Sequence, residues 1–238
     1  MENATYVTLS RQSGLLRDMA TVAQNIANMS TTGYRAEQLV FSEFVADIGP
    51  DDPSLSMARA GARAVDLSQG SLQLTGGTFD FAIEGDGFFL VDTPGGTRLT
   101  RAGSFTPSAE GLLVAPDGAF LLDAGEAPIF VPPDAGSITV GADGTLAADG
   151  LPFAQIGLFQ PADPLDIARA EGTRFAPENG VDPVLNGRVL QGFLEQSNVN
   201  AVAEITRMIE VQRAYELGQT FLEREDERIR STIRTTGQ

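Results

Sequence analysis

The sequence predicts an α+β protein, in which long N- and C-terminal helices pair as an antiparallel coiled-coil-like core and carry an inserted antiparallel β domain. Three observations carry this prediction. Ser197–Arg234 contains no Pro, and its apolar residues Ile205, Met208, Tyr215, Leu222, Ile229 and Ile233 recur at a helical period. Residues 4–29 show the same rhythm. Between the two, short apolar runs are separated by dipeptides that favour tight turns.

Taken in order, the N-terminal segment places Leu15, Met19, Val22 and Ile26 on one stripe. Leu16, Ala20, Ala23 and Ala27 form a parallel stripe of smaller side chains, which favours close helix pairing. Asn3 is the expected cap. The helix is expected to stop in Asn28–Gly33, where polar side chains that bond their own backbone precede a Gly able to take positive φ. Residues 34–65 read as irregular. Phe41, Phe44 and Val45 could anchor a short segment there, ADIGPDDPSLS reads as a loop, and SMARAGARAV as an extended arm.

From Val65 to Leu190 the strand signals FFLV, GLLVA, AFLL, PIFV and FAQIGLF dominate. They are punctuated at Asp86-Gly87, Gly95-Gly96, Asp117-Gly118, Asp143-Gly144, Asp149-Gly150, Asn179-Gly180 and Asn186-Gly187, as in a domain built from hairpins. Phe88 and Phe89 are adjacent, so the two rings point to opposite faces: one enters the core and the other faces outward or meets a second contact. In the last segment Asn200 stands at the N-cap position, Glu204 lies in the first turn near the positive end of the dipole, and Gly237 is the expected stop. Val199, Val202, Ile209, Val211, Leu217 and Phe221 lie off the main stripe. A helix apolar on so many sides needs cover on as many sides, from its own chain and from other copies or partners. Gly218 costs about 1 kcal/mol against Ala inside a helix and marks the close approach of a neighbouring backbone. Gln212 and Gln219 interrupt the apolar stripe, either as tolerated positions or as residues that fix register. The expected divisions are 1–33 for the N-terminal helix, 34–65 for an extended or irregular connection, 66–192 for the inserted β domain and 193–238 for the C-terminal helix.

Composition narrows the chemistry. All sixteen basic residues are Arg, and the chain has neither Lys, His nor Cys. That excludes Ser-His-Asp and Cys-His nucleophiles, His-ligated zinc, Schiff bases and a Walker phosphate loop. Residues 1–35 carry three Arg against two acids, 36–194 seven Arg against twenty-two, and 195–238 six against eight, so the net charge of −16 resides in the middle. An acidic surface argues against nucleic acid. No run of 18 apolar residues predicts a membrane span, and the opening MENATYVTLSRQ lacks the pattern of a cleaved secretory signal. Neither cofactor nor metal is expected. GDGFF lacks the third Gly of a dinucleotide fingerprint, and DGTLAADG lacks the oxygen density of a calcium loop. Carboxylates alone could serve a glycan hydrolase, yet Asp86, Asp117, Asp143 and Asp149 each precede Gly in a turn, where Asp is favoured for its backbone geometry. A binding module with an exposed groove on the β domain is a third reading.

Three stretches resemble one family, the flagellar rod and hook proteins. NIANMSTTGYRAE (Asn25–Glu37) is similar to its N-terminal signature, with Asn25, Asn28 and Gly33 as motif residues. Thr78–Leu122, containing IEGDGFF, TRAGSF and an Asp-Gly hairpin, resembles the inserted domain of the longer members. GFLEQSNVNAVAEITRMIEVQRAYE (Gly192–Glu216) is similar to the C-terminal signature, with Asn198, Gln212 and Arg213 as motif residues. Length and the tail EREDERIR resemble the proximal-rod members more than the distal-rod members, whose Asn after the Arg-Ala-Tyr-Glu stretch is replaced here by Leu217-Gly218-Gln219. The resemblance implies a non-catalytic subunit of the basal-body rod in the periplasmic space, exported through the flagellar export apparatus without a cleaved signal. It also implies partners in other copies and neighbouring rod proteins. The assembly interface it implies runs over Leu15, Met19, Val22, Ile26, Ile205, Met208, Gln212, Tyr215, Gly218 and Leu222, with helices that order as they join the tube.

Overall fold

A computed structural model describes residues 2–46, 55–163, 167–184 and 186–236. The chain is α+β and divides into two compact units. The first comprises residues 1–28, 36–66 and 199–238, and the second residues 29–35 and 67–198.

The helical unit holds α1 (Glu2–Ala27), β1 (Glu37–Ala46), β2 (Leu55–Val65) and α2 (Ala201–Thr236). Asn3 lies inside the first turn of α1 instead of capping it. Asn28 closes that helix, its Nδ2 donating to the Gln24 carbonyl at 2.8 Å. At the start of α2, Asn200 Oδ1 accepts from the amides of Val202 and Ala203, both at 3.1 Å, which is the expected N-cap. The expected stop at Gly237 and most of the loop ADIGPDDPSLS lie outside the described residues.

Within 34–65, expected to be extended or irregular, the described segments are extended and paired. Glu37–Ala46 and Leu55–Val65 pair antiparallel over their whole length, with one register shift between Val40 and Phe41. This hairpin packs on α1. Gly14 makes room for it, since a Cβ there would lie 2.9 Å from Cε1 of Phe41. Packing against a helix is what stabilises a two-stranded ribbon that would be marginal alone.

In the β unit the strands are β3 (Leu72–Leu74), β4 (Phe81–Glu84), β5 (Phe88–Thr93), β6 (Gly96–Thr100), β7 (Thr106–Pro107), β8 (Leu113–Val114), β9 (Phe120–Leu121) and β10 (Ile138–Val140). There follow β11 (Thr145–Ala148), β12 (Leu151–Gln155), β13 (Leu158–Pro161), β14 (Ala168–Arg169), β15 (Arg174–Ala176), β16 (Val181–Pro183), β17 (Arg188–Gln191) and β18 (Phe193–Glu195). The main sheet runs β14-β15-β6-β5-β9-β8-β7, with β13 pairing both β5 and β16. A meander β10-β11-β12 and the pairs β17-β4 and β18-β3 complete it, and the named pairs are antiparallel. Asp149 and Gly150, at the tip between β11 and β12, have φ of 51° and 82°, the two positive values a tight hairpin of this type requires.

Phe81, Ile83, Phe89, Val91, Leu113, Leu121, Leu146 and Val189 form the centre of one apolar core. Phe89 meets Phe105 edge to face at 5.9 Å. Its neighbour Phe88 points the other way and finds a second contact, edge-on to Phe175 at 5.9 Å with the Arg101 guanidinium 5.2 Å above its ring. Phe89→Ala is therefore expected to destabilise the β unit by about 3–5 kcal/mol, read as a lower denaturant midpoint. Phe88→Ala is expected to cost less, because its ring lies outside the main cluster.

Candidate assembly surface

In the helical unit α1 and α2 run antiparallel, tied at three levels. Near the C-terminal end of α1, Asn25 Nδ2 donates to Glu204 Oε1 at 3.2 Å. Midway, Arg207 reaches the buried carboxylate of Asp18 at 3.0 Å. Towards the N-terminal end of α1, Gln12 Nε2 donates to the backbone carbonyl of Tyr215 at 2.9 Å. Gly218 is what admits that bond, since a Cβ on it would lie 2.2 Å from Gln12 Nε2. The close approach at Gly218 is thus made by the chain's own α1, through the Gln12 side chain in place of the expected neighbouring backbone.

Asn25 is also the hub of the hairpin contact. It is buried, and its amide pairs both ways with the backbone of Glu37: Nδ2 donates to the carbonyl at 2.8 Å and Oδ1 accepts from the amide at 3.0 Å. A buried side-chain amide satisfied in this way fixes the start of β1 against α1. Burial pushes the Glu204 carboxyl above its ordinary value, and nearby Asp18 pushes the same way. The Asn25 hydrogen bond and Arg207 oppose the shift without cancelling it.

The expected interface residues fall into two groups. Val22 is buried, and Leu15, Met19, Ile26, Met208, Tyr215, Gly218 and Leu222 are half-buried. Ile205 and Gln212 are exposed, as is Arg213. The half-buried or buried positions Glu204, Met208, Val211, Tyr215, Gly218, Leu222 and Glu225 follow one another at alternating steps of four and three. The apolar period places Met208, Tyr215 and Leu222 on this stripe but sets Val211 off it, and hydropathy gives no reason to look for Glu204 or Gln12 at a helix contact. Gln219 bonds the Tyr215 hydroxyl at 2.9 Å on the helix surface.

Off the stripe, α2 leaves a large apolar area open. Val202 is 75% exposed and Leu217 73%, with Ile205, Ile209 and Phe221 also exposed; further along the helix Ile229 and Ile233 (64%) are exposed as well. Leu9 and Leu16 are exposed on α1, and the small-residue stripe Leu16, Ala20, Ala23 and Ala27 is exposed along its length. Val7, Leu15, Leu217, Gly218 and Phe221 line an open groove of about 380 Å³ between the two helices. Single exposed apolar residues are ordinary, whereas a continuous set along two helices marks an interaction surface.

In the β unit, the acids at turns are engaged locally. Asp149 accepts from the amides of Gly136 and Ser137, and Asp143 from the hydroxyl and amide of Thr145; these bonds hold both carboxyls below the ordinary range. Burial raises the Asp117 carboxyl, but Arg174, through its hydrogen bond and its charge, brings it below the ordinary value. Asp86 is exposed. Among the described residues no helix is long and apolar enough to cross a membrane, and no group of three or more Asp or Glu is arranged to hold a metal ion. The motif residues Gly33 and Asn198 lie in this unit: Gly33, at φ 70°, donates its amide to the Glu195 carbonyl at 2.8 Å, and the Asn198 amide reaches the Tyr34 carbonyl at 3.3 Å.

Two terminal helices with an uncovered apolar face, joined through a hairpin-built β unit, fit a subunit of a larger assembly. Family models agree along the chain. A flagella basal body rod protein model matches residues 6–35, a flagellar hook protein FlgE/F/G D1 domain residues 82–148, and a flagellar basal body rod FlgEFG protein C-terminal model residues 190–235. The flagellar basal-body rod protein FlgF of Rhizobium meliloti is 37% identical over 100% of this chain and 99% of its own length. That of Mesorhizobium japonicum is 40% identical over 91% of this chain and 90% of its own. The chain belongs to the flagellar basal-body rod protein family and is a structural subunit of the rod. Within the family its likeness is to FlgF; the rod protein FlgG of Bacillus subtilis, covering 98% of both chains, is 29% identical.

The sign of the Glu204 shift gives a prediction. A carboxyl whose value is raised in the folded state contributes most below its unfolded value, and that contribution is lost as pH rises through the raised one. Acidifying from neutral pH is therefore expected to stabilise the packing around Glu204, because relief of the burial cost outweighs the weaker bond from Asn25. In Glu204→Gln that pH response should disappear, measured as amide protection in the first turns of α2 against pH.

Proposed function

We propose that the chain is a subunit of the proximal rod that polymerises through its terminal helices, paired as an antiparallel coiled coil, to form part of a torque-transmitting shaft around the export channel. The observation that carries this reading is the apolar surface left open on α2 beside the stripe that meets α1. Residues 1–33 and 193–238 serve as the rod core, 66–192 as an outer body, and 34–65 as the connection. Leu15, Met19, Val22, Ile26, Met208, Tyr215, Gly218 and Leu222 set the helix pair, while Ile205 and Gln212 join Val202, Ile209, Leu217 and Phe221 on the face that meets other copies and neighbouring rod proteins. Helices that gain full cover only on assembly keep free subunits from polymerising early.

The family relationship supports passage through the flagellar export apparatus without a cleaved signal peptide, and a working place in the periplasmic space. It also supports a purely mechanical role. The turn acids, committed to backbone amides and to Arg174, favour this over glycan hydrolysis. A distal-rod role is the second reading; the higher identity to FlgF than to FlgG favours the proximal one.

Gly218→Leu tests the proposal. The substitution displaces Gln12 and overpacks the helix contact by about 1–3 kcal/mol in each subunit, while the β unit is expected to keep its denaturant midpoint. Cells exporting the variant at normal levels should fail to swim. Normal swimming would show that rod assembly does not depend on this helix pairing, and would overturn the proposal.

A further inference from the structure

The chain passes between its two units at residues 28–29, 35–36, 66–67 and 198–199. Beside three of these passages, within the β unit, one carboxylate gathers the neighbouring chain. Glu195 is 0% exposed. Its Oε1 accepts from the Gly70 amide at 2.8 Å and from Arg35 Nη1 at 2.6 Å, and its Oε2 from Arg101 Nη1 at 3.0 Å. Arg35 and Arg101 are as buried as the acid they share. Arg35 also bonds the Ser68 carbonyl, and Arg101 Nη2 the Gly85 carbonyl at 2.8 Å.

The backbone repeats the arrangement. The Glu195 carbonyl takes the Gly33 amide, and Asn198 Nδ2 donates to the Ser68 carbonyl at 2.9 Å. Gly33 and Gly70 are pressed into it: a Cβ would lie 2.2 Å from the Ala102 amide nitrogen at the first and 2.0 Å from the Gln196 carbonyl oxygen at the second. The remaining passage, at 28–29, opens the loop 29–35 that ends in Arg35. Arg169 presses on that loop from outside, stacked 4.3 Å over the Tyr34 ring and bonding the Arg35 carbonyl at 2.6 Å.

We propose that Glu195 is the release point of a clasp, separable from the β core, that docks the N-terminal loop 29–35 and the segment 68–70 onto the segment leading into α2. A clasp of this kind closes only when residue 195, 160 positions beyond Arg35, has joined the fold. Docking of the loop that follows α1 thereby becomes conditional on the presence of the C-terminal segment. None of the aromatic residues at the centre of the core takes part, which is why the clasp opens by itself. Burial is what makes it decisive: a carboxylate serving two guanidinium groups away from water leaves both uncompensated if its charge is removed.

The test is native-state hydrogen exchange on the full chain, comparing wild type with Glu195→Gln. The amides of Gly33 and Gly70 are expected to lose protection by on the order of a hundredfold, while those of Leu122 and Ile129, bonded within the core sheet, stay within a few-fold. A core control, Val189→Ala, should lower protection at Leu122 and Ile129 and leave Gly33 and Gly70 nearly unchanged, because those two exchange through opening of the clasp. Unchanged protection at Gly33 and Gly70 in folded Glu195→Gln would overturn the proposal. Should Glu195→Gln fail to fold, Glu195→Asp, which keeps the charge on a shorter stem, decides. Selective loss at Gly33 and Gly70 supports the clasp, and loss of all four amides in both variants shows that the carboxylate belongs to the core.

Discussion

The constraint on which the helical unit depends is a mismatch of length. α1 has 26 residues and α2 has 36, so at 1.5 Å per residue α2 is longer by about 15 Å. Pairing starts where Asn25 meets Glu204 and has reached Gln12 opposite Tyr215, so the excess falls at the C-terminal end, where Ile229 and Ile233 are exposed. A single partner helix covers one stripe and the hairpin lies on α1, so the opposite side of α2 stays exposed within the helical unit. The apolar surface that follows is therefore a result of geometry as much as of composition.

Polar groups set the geometry inside both units. In the helical unit Gln12, Asp18 and Asn25 fix the two helices against each other and against the start of β1. In the β unit Glu195 does the same for the segments that lead out of it. All basic residues being Arg suits the second case, since a guanidinium fork can serve a carboxylate and a backbone carbonyl together, as Arg101 does.

What the sequence made legible was whatever leaves a periodic or local mark. The cap at Asn200, the Asp149-Gly150 turn and the opposite directions of Phe88 and Phe89 could be read directly, because each follows from neighbours in the chain. The hairpin at 37–65 was missed although β2 alternates small and larger residues through Ala58-Arg59-Ala60 and Ala62-Arg63-Ala64. Ala is a poor strand former and the adjoining Pro and Asp residues signal a loop, so the two-residue period was outweighed. Arg35, Arg101 and Glu195 lie inside the three stretches that carry the family resemblance, yet nothing in the sequence brings them together as a cluster. Partners separated by more than ninety positions share no local pattern, and hydropathy assigns charged residues to the surface.

Gln12 has a mechanical consequence. A side chain that crosses between two helices to bond a backbone carbonyl, in a notch only a Gly provides, works as a detent. Leu and Val side chains riding on one another allow a pair of helices to slip by a turn at modest cost. A slip of about 5.4 Å would here carry Gln12 out of the notch at Gly218 and against a side chain. The pair is thereby keyed at one register, which apolar packing alone would leave open.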